Sequence, residues 1–244
     1  RLTMPEHLVT YPAGTLAKLI DQDKWKVNTP LRTETSPPPE SGGIEKARQL
    51  FGENFLGEEA IHTFEEKCKL KGISVKFEIP TEFQYGESDL ELAKQDEEEG
   101  KERMLVLRPE WMTVKVKRSL RREEEVRQPV NIINLRNLFK KGAGGNVSFD
   151  NNPFGDGPVF WKLDWYNEQD FAKEQIKGGY SMPTKDVLPD SWNKTWDLQT
   201  DLLGDGERRR EANEAVWDLL LTYAVTGQKL LTQKADWTNS QTSG

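Results

Sequence analysis

From residue 44 the spacing of apolar positions changes repeatedly, and each change predicts an element. Ile44, Ala47, Leu50 and Phe51 share one face of a helix. Beyond Gly57, Ala60, Ile61 and Phe64 repeat the helical spacing, and Gly72 is placed to cap that helix. Ile73 to Ile79 alternates apolar and polar residues, which predicts a half-buried strand stopped by Pro80. Ser88-x-x-Glu91 has the form of a capping box opening a helix to Glu99, the hydroxyl accepting from an orphan amide while the carboxylate reaches back. Met104 to Leu107 is a short buried strand. Met112 to Lys117 alternates, apolar on one face and lysine on the other.

Pro129 opens a second stretch. Ile132, Leu135, Leu138 and Phe139 predict an amphipathic helix ending at Gly142, followed by a turn-rich loop to Pro158. Val159 to Tyr166 is aromatic on both faces and is expected to be a strand buried on both. A short strand is predicted at Tyr180 to Met182, and a helix capped by Thr195 runs through Leu203 to Gly204. Ala212, Ala215, Val216, Leu219, Leu220 and Tyr223 form a regular apolar stripe on a helix closed by Gly227. Leu230 to Trp237 is expected to be a strand, and the residues after it a turn. The pattern predicts an α+β fold in three parts. Residues 1–43 are a leader and linker, with a short helix from Thr15 and the Pro37-Pro38-Pro39 run. Residues 44–128 are a small α+β unit, and 129–244 a second domain.

Composition narrows the function classes. Net charge is -7, which argues against general nucleic-acid binding, since phosphate contacts require a positive field. Charge is segregated, however. Residues 87–102 carry eight acidic and two basic side chains, while 115–127 carry six basic and three acidic. Lys115, Lys117, Arg118, Arg121 and Arg122 therefore form a candidate contact patch. It lacks interleaved aromatics to stack bases, and a solvated or internally paired face is the expectation. The single cysteine, Cys68, excludes an intrachain disulfide and fits a reducing, cytoplasmic setting. No apolar run approaches the roughly 20 residues of a membrane span, and the first ten residues lack the order of a secretion signal.

No constellation assembles a catalytic centre. His62 and Glu65 share a helix face, but a stable metal site needs a further cluster of ligands, so no metal or cofactor is expected. Cys68 lies six residues from His62, and the expectation is a small buried hydrophobe. Lys140-Lys-Gly-Ala-Gly-Gly145 lacks the Gly-Lys-Ser/Thr ending of a phosphate loop and follows a helix. Asp150 to Gly157 suggests a calcium loop, but Pro153 and Phe154 break the ligand order and leave a surface turn. Asn146 and Asn193 match the glycosylation pattern without a secretion signal to give it meaning. No pair of carboxylates stands out as an acid and base.

Six of the eight tryptophans, namely Trp161, Trp165, Trp192, Trp196, Trp217 and Trp237, fall in the last third of the chain. Rigid aromatics at that density build the core of a loop-rich domain. There, Asp164-Trp-Tyr-x-x-Glu-x-Phe171, Gly179-Tyr-Ser181, Leu188-Pro-Asp-Ser191 with Lys194-Thr-Trp196, Glu214 to Leu231 and Asp236-Trp-Thr-Asn-Ser240 resemble a group of bacterial proteins. Their C-terminal domain is similar to the C-type lectin fold of the formylglycine-generating-enzyme type. Some of these proteins are variable targets of diversity-generating retroelements. The resemblance covers roughly residues 160–244, with weaker echoes at Ile44 to Gly57 and Met104 to Pro109. It implies a partial lectin-like domain and a non-enzymatic ligand-binding or display function. It places the ligand surface beyond Gly244, so no binding residue carries over. The catalytic members of the wider fold use paired cysteines, which are not matched here. Two other readings stand beside it: a regulator acting through 112–127, and a hydrolase whose carboxylate pair is not evident.

Overall fold

The computed structural model describes residues 43–98, 100–119, 122–139, 165–188, 190–191, 194–204 and 207–231. Helix α1 (Gly43–Phe51) leads through a 3-10 turn into β1 (Phe55–Leu56) and α2 (Glu58–Leu70). Helix α2 ends as its sequence predicts. Gly72 takes a φ of 77°, and the amides of Gly72 and Ile73 return to the carbonyls of Lys69 and Cys68 at 2.9 and 3.0 Å. These are the paired hydrogen bonds that satisfy the last turn of a helix. Next come β2 (Val75–Phe77), shorter than the predicted strand, and α3 (Glu87–Glu98). Ser88 lies inside α3 and is not its cap. The Asp89 carboxylate instead accepts from the Gly86 amide at 2.9 Å, so the reciprocal half of a capping box is used two residues earlier.

Strand β3 (Leu105–Arg108) is buried along its whole length. Strands β4 (Trp111–Ser119) and β5 (Arg122–Pro129) form a long hairpin. Helix α4 (Ile132–Phe139) is opened by Asn131, whose side chain accepts from the Asn134 amide at 2.8 Å. A 3-10 turn at Trp165–Glu168 stands where the predicted strand 159–166 ends, and the start of that stretch lies outside the described residues. Then follow α5 (Asp170–Lys173), β6 (Gly179–Ser181), α6 (Trp196–Thr200) and α7 (Ala212–Thr226). Thr195 caps α6 as expected, its hydroxyl accepting from the Leu198 amide. Single turns carry the chain on to Leu203. Gly227 closes α7 with a φ of 74°. Leu230 and Leu231 are turn residues, and the rest of the strand expected there lies outside the described residues.

The fold is α+β, with two three-stranded sheets among the described residues. One has the order β1-β3-β6, with β1 parallel and β6 antiparallel to β3. The other is an antiparallel β2-β4-β5 sheet. Helix α7 packs on α2 and β3. Its Trp217 is fully buried, with ring centroids 5.8 Å from Phe64 and 5.0 Å from Phe77, both edge-on. The indole N–H donates to the Leu107 carbonyl at 3.0 Å, so its polar atom is satisfied where the ring is dry.

This packing crosses the expected boundary at Pro129. Strand β6 pairs with β3, and one hydrophobic cluster runs from Ala47 to Ala224. A smaller cluster of Ile132 and Ala172, with Phe171 and Ala212 against it, lies wholly beyond that boundary. Helix α7 also departs from its predicted stripe. Val216, Leu219 and Tyr223 are only half-buried, whereas Asn213, Glu214, Trp217, Asp218 and Thr222 are buried. The helix is enclosed nearly all round, so its hydrophobic period could not mark which side faces the core.

Candidate functional site

The polar side of α7 holds the principal charged cluster of the core. Glu214 and Asp218 are one turn apart on the same helix face. Both are buried, at 1% and 0% exposure. Arg108 reaches them from the end of β3 and is itself 2% exposed. Its Nε donates to Asp218 Oδ1 at 2.9 Å and its Nη2 to Oδ2 at 2.6 Å, a two-pronged bond that fits a planar guanidinium. Its Nη1 lies 2.9 Å from Glu214 Oε1.

Two further arginines close the cluster from the outside. Arg208 donates to both oxygens of Glu214, at 2.8 and 2.5 Å. Arg210 Nη1 lies 3.4 Å from Asp218 Oδ2. Glu214 also accepts from the Glu211 amide at 2.9 Å, completing a capping box with Glu211 at the start of α7. Beside the cluster, Arg103 donates to Asp96 at 2.6 Å, to the Met182 carbonyl and to Glu207.

Electrostatics follow from this arrangement. Burial opposes the charge on Glu214, but the hydrogen bond from Arg208 and the charge of Arg108 outweigh it, so the carboxyl sits below its ordinary value. Burial likewise opposes the charge on Arg108, and Asp218 and Glu214 overcome it, keeping the guanidinium firmly protonated. Each carboxylate takes several donors from within the chain, the pattern by which buried charges become tolerable. A general acid or base needs a proton position open toward a substrate, and these oxygens are engaged by guanidinium and amide groups.

The residues singled out from sequence lie elsewhere. Cys68 is buried on α2, and desolvation pushes its thiol up to about 12, the opposite of what a nucleophile requires. His62 is exposed on the same helix. Its ring nitrogens lie 3.1 Å from Glu65 and 3.3 Å from Glu58, and the hydrogen bond to Glu65 raises its affinity for a proton. Among the described residues no group of three or more histidine, cysteine, aspartate or glutamate side chains is placed to hold a metal ion. Lys140 to Gly145 and Asp150 to Gly157 lie outside the described residues, as do Asn146 and Asn193.

The basic segment maps to the β4–β5 hairpin. Lys115 is exposed opposite Glu125, with 3.5 Å between their charges, and Lys117 stands in register with Glu123. Arg118 is the last residue but one of β4 and Arg122 opens β5, while Arg121 lies outside the described residues. At the base of the hairpin Arg127 stacks 3.8 Å above the Trp111 ring and is bonded to Glu78 at 2.5 and 2.8 Å. One lysine of the segment, Lys115, thus faces a glutamate on the neighbouring strand, and Arg127 is held by Glu78 from before β4.

The Arg108 cluster is not evident in the sequence, although one signal is present. Glu214 and Asp218 interrupt an otherwise apolar helix at a spacing of one turn, directly after the Arg208-Arg209-Arg210 run. A helix that buries most of its circumference turns such a pair inward and obliges arginines to meet it. No protein-family model matches the chain, nor does any curated protein sequence or any solved structure.

Proposed function

We propose that the chain is a cytoplasmic, non-enzymatic binding or display protein whose described residues form a rigid scaffold. The observation that carries this reading is the closure of the Arg108 cluster. The buried ionisable groups that the fold gathers are spent on one another, which stiffens the packing of α7 on β3 and leaves no reacting geometry between them. The burial of Cys68, which pushes its thiol up, supports the same reading. So does the aromatic packing of Trp217 against Phe64 and Phe77, the kind of rigid core on which a lectin-like binding surface is presented. Among the described residues no helix is long and apolar enough to cross a membrane.

Two measurements on the full chain test the proposal together. The labelled protein is applied to glycan and peptide arrays, and the unlabelled protein to chromogenic ester, phosphate, glycoside and peptide substrates. Saturable retention of one ligand class with no turnover is expected. Turnover that copurifies at constant specific activity through two unlike chromatographic steps overturns the reading in favour of a hydrolase.

A further inference from the structure

Glu207 to Arg210 run without helix or strand, yet each of the four side chains is tied to another part of the fold. Glu207 accepts from Arg103, just ahead of β3, and from the Gly204 amide at 2.6 Å. Arg208 holds Glu214 on α7. Arg209 stacks 3.7 Å from the centre of the Trp196 ring and donates to Thr200 Oγ1 and the Trp196 carbonyl, both at 2.8 Å. Arg210 reaches Asp218. The segment is fastened by charge and hydrogen bonding, while the helix beneath it is fastened by apolar burial.

These two kinds of fastening respond oppositely to salt. Screening shortens from about 10 Å at 0.1 M to about 3 Å at 1 M ionic strength, weakening partly exposed ion pairs first. Apolar contacts are not weakened in this way. Arg208 is the exposed member, with 54% of its side chain open to solvent. We propose that Glu207–Arg210 is an ionic strap that lifts as a unit ahead of the core and uncovers the carboxylates of Glu214 and Asp218. With the strap down, three arginines face Glu214, Asp218 and, at the start of α7, Glu211, and the local charges balance. With it lifted, Arg108 alone faces them and the balance turns negative. The strap thus sets whether this side of the scaffold presents negative charge, and ionic strength sets the strap.

Amide hydrogen exchange on the full chain, at about 0.05 M and about 1 M sodium chloride, tests the proposal. Exchange across 207–211 is expected to quicken about tenfold at high salt, the combined effect of several modest ion pairs. Amides of β3 should keep their rates. A double variant, Arg208→Gln with Arg210→Gln, should show the fast exchange already at low salt and lose the salt response, with its near-ultraviolet dichroism unchanged. Strap exchange that ignores salt overturns the proposal, and so does strap exchange that rises in step with β3, which reports global unfolding. If the double variant does not fold, the salt series on the unaltered chain decides alone.

Discussion

Trp217 and Asp218 are neighbours in sequence and equally buried, yet they hold α7 in place by different physics. Trp217 enters an aromatic nest with Phe64 and Phe77, where each removed atom leaves a void. Asp218 enters a set of charges whose value depends on every member being present. The apolar side supplies stability. The ionic side supplies register, because a guanidinium fork fits its two carboxylates in one arrangement. The two sides should therefore respond differently to being emptied.

Trp217→Ala removes ring packing and a buried hydrogen bond at once and should cost about 5 kcal/mol, close to the whole stability of a small domain. Urea unfolding monitored by far-ultraviolet dichroism measures it, and a loss below about 2 kcal/mol would break the comparison. Arg108→Ala leaves two buried carboxylates uncompensated and should cost about 3–5 kcal/mol. The sharper test is the triple variant Arg108→Met, Glu214→Leu, Asp218→Leu, which should recover most of that loss. If it stays as unstable as Arg108→Ala, the cluster contributes net stability and not only register.

Acid should act on the ionic side alone. The Glu214 carboxyl is held below its ordinary value of 4.5, as is that of Glu207, where burial is outweighed by bonds from the Gly204 amide and Arg103. A carboxylate lowered in the folded state stabilises it fully above the ordinary value, and that stability is lost as pH falls through the lowered native values. The thermal midpoint should therefore drop on acidification below about pH 4.5, and Glu214→Gln should flatten the slope. The smallest effect belongs to the surface. Glu125→Lys turns a cross-strand attraction on the hairpin into a repulsion and should cost less than about 1 kcal/mol.

The elements that could be read from sequence are those whose signals are local. Gly72 and Gly227 end their helices because left-handed backbone costs glycine little, and Thr195 caps because its hydroxyl lies next to the amide it satisfies. Strand β5 escaped notice because Arg122-Glu-Glu-Glu-Val-Arg offers a single apolar residue to alternate. Its conformation comes from the ladder that β4 provides. Ser88 misleads because a capping box is written in residue types that also occur within the first turn of a helix. The charged cluster was the least legible. Arg108 and Asp218 are separated by 110 positions, and nothing local to either announces the other.

The same separation governs how the chain comes into being. The Leu107 carbonyl that receives the Trp217 indole is made 110 residues before its donor. During synthesis β3 and the hairpin therefore leave the ribosome long before α7 exists. Phe64, Phe77 and Arg108 wait uncovered through that interval, in a state that invites chaperone binding and misassociation. Helix α7 is the last described helix of the core to be made, and a chain broken off before residue 212 would lack the Trp217 packing on Phe64 and Phe77.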